Sequence, residues 1–214
     1  MRQTPARNRV APTGEIIASP GRGAWLGNRG RLHEGHDIVR NHQVKAWLTC
    51  TLSYRDRRLP QWDPHHYTLL FFLDEAVAFA AGHRPCAECR RADYQAYVTA
   101  WRRAAGGERP RAYEMDARLH AERLPGASGR RHRRPEAWRD LPDGVFADTD
   151  HGPAVTLGNR LLVWDRATNT YGWQLPRPAE GSPRLITPPA NVAVLRAGYP
   201  VQIGRPPQSR RVGV

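Results

Sequence analysis

Residues 71–101 read FFLDEAVAFAAGHRPCAECRRADYQAYVTAW, and the reading of this stretch decides the fold. It predicts a short helix, a turn carrying two cysteines, and a second helix. Asp74 is placed to cap the first helix, Ala76, Phe79 and Ala80 form its apolar stripe, and Gly82 ends it. Pro85 is expected to open the second helix, at a position where proline needs no donor, with Cys86 and Cys89 one turn apart. Tyr94, Tyr97, Val98 and Trp101 follow at helical spacing, so that helix is expected to bury one face. A Cys-x-x-Cys at a helix N-terminus suits a metal ion, because backbone N–H groups there favour thiolate.

On the N-terminal side, residues 44–54, VKAWLTCTLSY, alternate as a strand. Trp47, Thr49, Thr51 and Ser53 point one way; Ala46, Leu48, Cys50, Leu52 and Tyr54 point the other. Cys50 reads either as a metal ligand or as a small buried hydrophobe. A basic loop, RDRRLPQWDPHHY, follows and exposes Trp62 among arginines that include Arg58. Arginine mixed with tryptophan can hold a nucleic-acid strand by phosphate contact and base stacking; a solvated loop is the alternative. Residues 67–73 form a second strand leading into the first helix. Further upstream, residues 14–42 are glycine-dense, which predicts short strands and tight turns, with Gly27-Asn28 as one turn.

Residues 46–101 resemble the Ada-type zinc domain of DNA methyl-phosphotriester repair proteins. The resemblance rests on Phe71, Phe72, Ala81, Gly82, Arg84, Pro85, Cys86, Cys89 and Arg90, with His83 where the family has an aromatic. Cys50 stands at about the place of the family's first cysteine, and Tyr54 holds the place of its second. The resemblance implies a zinc ion on Cys50, Cys86 and Cys89. It also implies that Cys50 is the candidate methyl-accepting nucleophile. A histidine, a carboxylate or water would complete the tetrahedron, and His65, His66, His83 and His120 are the histidine candidates. The chain as a whole also resembles a group of bacterial proteins without an assigned role.

Beyond the module, residues 113–124 read as a helix carrying His120-Ala121-Glu122. Zinc nucleobase deaminases combine His-x-Glu with Pro-Cys-x-x-Cys, the histidine as ligand and the glutamate as proton shuttle, although in the opposite order along the chain. His120 and Glu122 are therefore further catalytic candidates. Arg130, Arg131, Arg133 and Arg134 make the densest charge cluster, a candidate phosphate-contacting loop together with Arg84, Arg90 and Arg91 beside the cysteines. Residues 141–204 contain strand-like pieces at 145–147, 154–157 and 161–164, a hairpin turn at Gly158-Asn159, and a helix opened by Thr187-Pro188-Pro189 and closed by Gly198.

The expected organisation is α+β. A basic arm (1–13) precedes an Ada-like zinc domain of short strands and two helices (14–125). An arginine-rich linker (126–140), a β-rich lobe with one helix (141–204) and a basic tail (205–214) follow. The 33 basic residues against 20 acidic ones give a net charge of +13, and all but Lys45 of the basic residues are arginine. Such a surplus favours nucleic acid as partner through guanidinium–phosphate contacts, and the Ada-type resemblance implies DNA ahead of RNA. No apolar run reaches the roughly 20 residues that a membrane span needs, and the N-terminus lacks a signal-peptide core, so a cytoplasmic protein without membrane contact is expected. Three cysteines do not suggest a disulfide framework. No phosphate-binding loop, nucleophile elbow or nuclease carboxylate cluster is present. Three readings stay open: a zinc-containing nucleic-acid-binding protein of DNA repair or modification, a zinc-dependent enzyme acting on a nucleobase, and a regulatory binder whose zinc is structural.

Overall fold

A computed structural model describes residues 5–55, 60–123 and 136–204. The chain is α+β. In chain order it forms β1 (Arg7–Val10), β2 (Ile16–Ala18), β3 (Trp25–Asn28), β4 (His33–Glu34), β5 (Asp37–Ile38), β6 (Leu48–Cys50) and β7 (Leu70–Phe72). Then come α1 (Glu75–Ala80), β8 (Arg84–Pro85), α2 (Arg91–Ala105) and α3 (Ala112–Arg123), followed by β9 (Phe146–Thr149), β10 (Gly152–Leu157), β11 (Arg160–Asp165), β12 (Thr170–Pro176) and α4 (Pro189–Arg196). A mixed sheet has the order β2-β1-β7-β3-β6-β8, a second sheet is the meander β12-β11-β10-β9, and β4 pairs with β5 alone.

The meander lies between two apolar cores. Ala147, Ala154, Leu161 and Val163 face one core, with Tyr97, Val98 and Trp101 of α2, Met115 and Leu119 of α3, and Val194 of α4. Phe146, Val155 and Trp164 face the other, with Val10, Ile16, Leu70, Phe72 and most of α1. Strands buried on both faces read as continuous apolar runs, which is how residues 154–157 and 161–164 read in sequence. The C-terminal strands therefore share both cores with the N-terminal residues, and the meander is an open antiparallel sheet with the hairpin at Gly158-Asn159. The arginine-rich residues 126–135, expected to mark a boundary, lie outside the described residues.

Asp74 caps α1 as its sequence suggests: Oδ1 accepts from the Val77 amide at 2.8 Å. All six residues of α1 are buried, so Glu75 needs internal partners. Its Oε1 accepts from Arg90 Nη2 at 2.6 Å and from the Tyr199 hydroxyl at 2.7 Å, and Oε2 accepts from the Gln202 amide. The other Asp74 oxygen accepts from the Tyr171 hydroxyl and the Gly204 amide. Residues 199–204 are thereby tied to the N-terminus of α1.

Three local expectations change. Gly27-Asn28 is part of β3 and not a turn, because the Phe72 ring packs onto the glycine; a Cβ there would lie 2.5 Å from Phe72 Cε2. Pro85 ends an edge strand instead of opening a helix. In β8 it pairs with Thr49 at the rim of the sheet, where a missing N–H costs no ladder bond. Thr187 does not cap α4, since its hydroxyl accepts from the Phe146 amide; Glu122 of α3 reaches the helix start instead, its Oε2 accepting from the Ala190 amide at 2.8 Å.

Candidate metal centre

The parallel register of β6 and β8 sets the three cysteines together. Leu48 pairs with Arg84 and Thr49 with Pro85, and the ladder runs on as the Cys86 amide donates to the Thr49 carbonyl at 2.9 Å. Cys86 therefore arrives beside Cys50. The alternation along β6 sends Trp47 and Thr49 into the interior and leaves Cys50 half-exposed on the opposite face, so Cys50 is not a core residue. The turn from Cys86 closes with the Arg90 amide donating to the Cys86 carbonyl, which returns Cys89 to the same place. The three Sγ atoms all lie within 4.8 Å of one another and could hold a metal ion. Cys86 and Cys89 sit in this turn, ahead of α2 and not within it.

The sulfurs share charge because they are so close. Hydrogen bonds from the Cys50 and Cys89 thiols, with the Cys89 and Glu88 amides, pull the Cys86 thiol well below its ordinary value. The bond to Cys86 pushes Cys50 far up, and burial adds to this. Cys89 is raised as well: the hydrogen bond from Cys50 favours its thiolate, but Cys86 and burial outweigh it. Three adjacent thiolates need a cation, and a divalent ion supplies the charge that would let all three ionise. Tyr67, which the sequence did not single out, stands close enough to be affected. Burial first, then the charge of Cys50, Cys89 and Cys86, raises its phenol to about 12.

Two buried ion pairs clamp the cysteine turn. Before it, Arg84 is held bidentately by Asp116, with Nε–Oδ1 and Nη2–Oδ2 both at 2.8 Å. After it, Arg90 is held by Glu75 and by Asp93, and its guanidinium lies 3.8 Å over the Trp25 ring. Both arginines are 4% exposed, so neither presents a guanidinium to nucleic acid, and their assignment as phosphate contacts is corrected. Arg91, the first residue of α2, is exposed. Trp62 is half-buried and not exposed, its ring edge-on to His33 at 5.4 Å and tilted against His36 at 5.8 Å. Arg58, Arg130, Arg131, Arg133 and Arg134 lie outside the described residues.

The deaminase-like pairing is not assembled. Glu122 is occupied by the Ala190 amide and by Arg118 Nε, with its side chain 5% exposed. His120 meets Arg123 through Nδ1 and the His42 ring at 5.0 Å, outside the cysteine cluster. Among the other histidine candidates, His83 is fully buried and accepts from Arg29 Nε at Nε2, and His66 pairs with Asp63. Among the described residues no histidine, aspartate or glutamate joins the three sulfurs.

No helix of the described chain is long and apolar enough to cross a membrane. Comparison with protein-family models, curated proteins and solved structures finds no match for this chain.

Proposed function

We propose that the protein is a zinc-containing nucleic-acid-binding protein, with zinc on Cys50, Cys86 and Cys89 and an exogenous ligand such as water in the fourth position. The observation that carries this reading is the meeting of three half-exposed sulfurs from a strand and a clamped turn. Thiolate donors select soft or borderline ions, and zinc takes four ligands in a tetrahedron. When bound, zinc would supply a Lewis acid that keeps its thiolates ionised. The chain's own part is to hold the turn, through Arg84 and Arg90, at the distance from Cys50 that one ion can bridge.

Nucleic acid as partner is supported by the net charge of +13 and by the Ada-like resemblance of residues 46–101. DNA is favoured over RNA by that resemblance alone. The test is the salt dependence of binding to a duplex oligonucleotide by the zinc-loaded protein. Engagement of about five phosphates predicts a slope of log K against log salt of roughly −4 to −5. Joint replacement of Arg130, Arg131, Arg133 and Arg134 by glutamine should flatten it by up to about 3 while zinc stays bound. A slope near zero in the wild-type protein would remove nucleic acid from the reading and leave the metal centre standing.

A further inference from the structure

Away from the cysteines, buried Arg29 and half-buried Arg123 lack the carboxylate partner that Arg84 and Arg90 have. Arg29 is 1% exposed, and its hydrogen bonds go to neutral acceptors: Nε to His83 Nε2 at 3.1 Å and Nη1 to the Gly14 carbonyl at 2.9 Å. Its Nη2 has no partner. Arg123, at the end of α3, likewise donates to the carbonyls of Gly82 and Lys45, and its Nε has no partner. The two guanidiniums lie over the same Trp47 ring, at 3.9 and 3.8 Å from its centroid. Both line a cavity of about 360 Å³ whose rim includes exposed Asn41 and Thr13.

The cavity holds two carboxylates, and both are engaged elsewhere. Glu15 is chelated by Arg166, with both oxygens at 2.6 Å, and Glu122 serves Arg118 and the start of α4. Asp116, the nearby acid of α3, is taken bidentately by Arg84. Among the described residues, no carboxylate is hydrogen-bonded to either guanidinium. Burying a charge without a hydrogen-bonded carboxylate is costly, so fully buried Arg29 beside half-buried Arg123 at one cavity calls for an external anion. Burial, and for Arg29 the charge of Arg123, lowers each guanidinium to about 9, which still leaves both largely protonated at neutral pH. The same field is felt by neighbours. Burial and then Arg123 hold both His42 and His120 below their ordinary value, with Arg29 adding to the effect on His42.

We propose that this cavity binds the phosphate group of a small phosphorylated molecule through Arg29 and Arg123, with Trp47 as its aromatic wall. Two guanidiniums match a phosphate dianion in charge and in forked geometry. The volume falls in the range of small-molecule sites. The site is independent of the metal centre, because it shares none of the three cysteines.

The test titrates the full chain, zinc-loaded, with inorganic phosphate at constant ionic strength, reading heat of binding and thermal midpoint. Saturable binding is expected, with a midpoint that rises with phosphate. Sodium acetate and chloride at the same ionic strength should bind at least about tenfold more weakly, one guanidinium sufficing for a carboxylate. Arg123→Gln should weaken phosphate binding by about tenfold or more. Asn41→Trp, at an exposed rim position, should block the cavity while leaving the phosphate-free midpoint unchanged. It decides the matter if Arg123→Gln fails to fold. Absence of saturable phosphate binding, equal affinity for acetate, or full affinity in Asn41→Trp would each overturn the proposal.

Discussion

The cysteine turn and the Trp47 cavity each hold two arginines, and they do so in opposite electrostatic settings. At the turn, Arg84 and Arg90 meet Asp116 and Glu75 at 2.6–2.8 Å, each of these acids drawn from another element. At the cavity, Arg29 and Arg123 meet a neutral imidazole, backbone carbonyls and an indole. A paired buried charge fixes geometry, here the placement of the cysteine turn. An unpaired one raises the local potential and marks a place where something else must supply the anion.

The largest effect should come from unpairing the turn. Glu75→Gln leaves Arg90 buried without its main counter-charge and should cost about 3–5 kcal/mol in urea unfolding. The pair is buried on both sides, at 2% exposure each, so solvent screening is slight. A loss below about 1 kcal/mol would erase the distinction between the two arginine pairs.

Next is the acid beside it. Burial raises Asp74 from 3.8 to about 6, more than its bonds to Tyr171, Val77 and Gly204 lower it. The folded protein thus binds this proton more tightly than the unfolded chain does, and the contribution of Asp74 to stability falls as pH rises from about 4 to about 6. Asparagine can keep the cap without the charge. The stability of Asp74→Asn relative to wild type should therefore rise by up to about 3 kcal/mol across that window, measured by denaturation at each pH. A difference independent of pH would contradict the burial argument.

Removing an arginine from the cavity should do less. Arg123→Met keeps an apolar stem against Trp47 and deletes a charge that no carboxylate hydrogen-bonds, so a cost of about 1–2 kcal/mol is expected from the lost carbonyl contacts. A cost equal to that of Glu75→Gln would show that the two pairs are electrostatically alike. Smallest is Arg91→Ala, at an exposed position: a stability change within about 0.5 kcal/mol, with the salt slope of DNA binding reduced by about 1 if it contacts a phosphate.

Much of the local structure was legible in sequence. The Asp74 cap, the apolar face of α2 at Tyr97, Val98 and Trp101, and the Gly158-Asn159 hairpin follow from short-range chemistry and stand in the structure. The three-cysteine cluster was suggested by the Cys-x-x-Cys turn and the resemblance, whereas the alternation of residues 44–54 by itself read Cys50 as a small buried hydrophobe. What short-range reading missed depends on distant partners. Gly27 is shaped by Phe72, Arg84 finds its acid 32 residues away in Asp116, and Glu122 is drawn to the start of α4. Arg29 and Arg123 carried no local signal among 32 arginines. Only the fold shows which of them lack a carboxylate.

The central claim is that Cys50, Cys86 and Cys89 hold one metal ion together, and metal analysis of the purified chain tests it most directly. Inductively coupled plasma mass spectrometry should find about one zinc per chain. Each of Cys50→Ser, Cys86→Ser and Cys89→Ser should lower metal affinity by at least about tenfold, since every thiolate is a ligand. Clamped by Arg84 and Arg90, the cysteine turn should keep its shape when the metal is chelated, with the far-ultraviolet circular dichroism little changed. Full zinc retention by the Cys86→Ser/Cys89→Ser double variant, or a metal-free wild-type protein with three freely titrating thiols, would contradict the account.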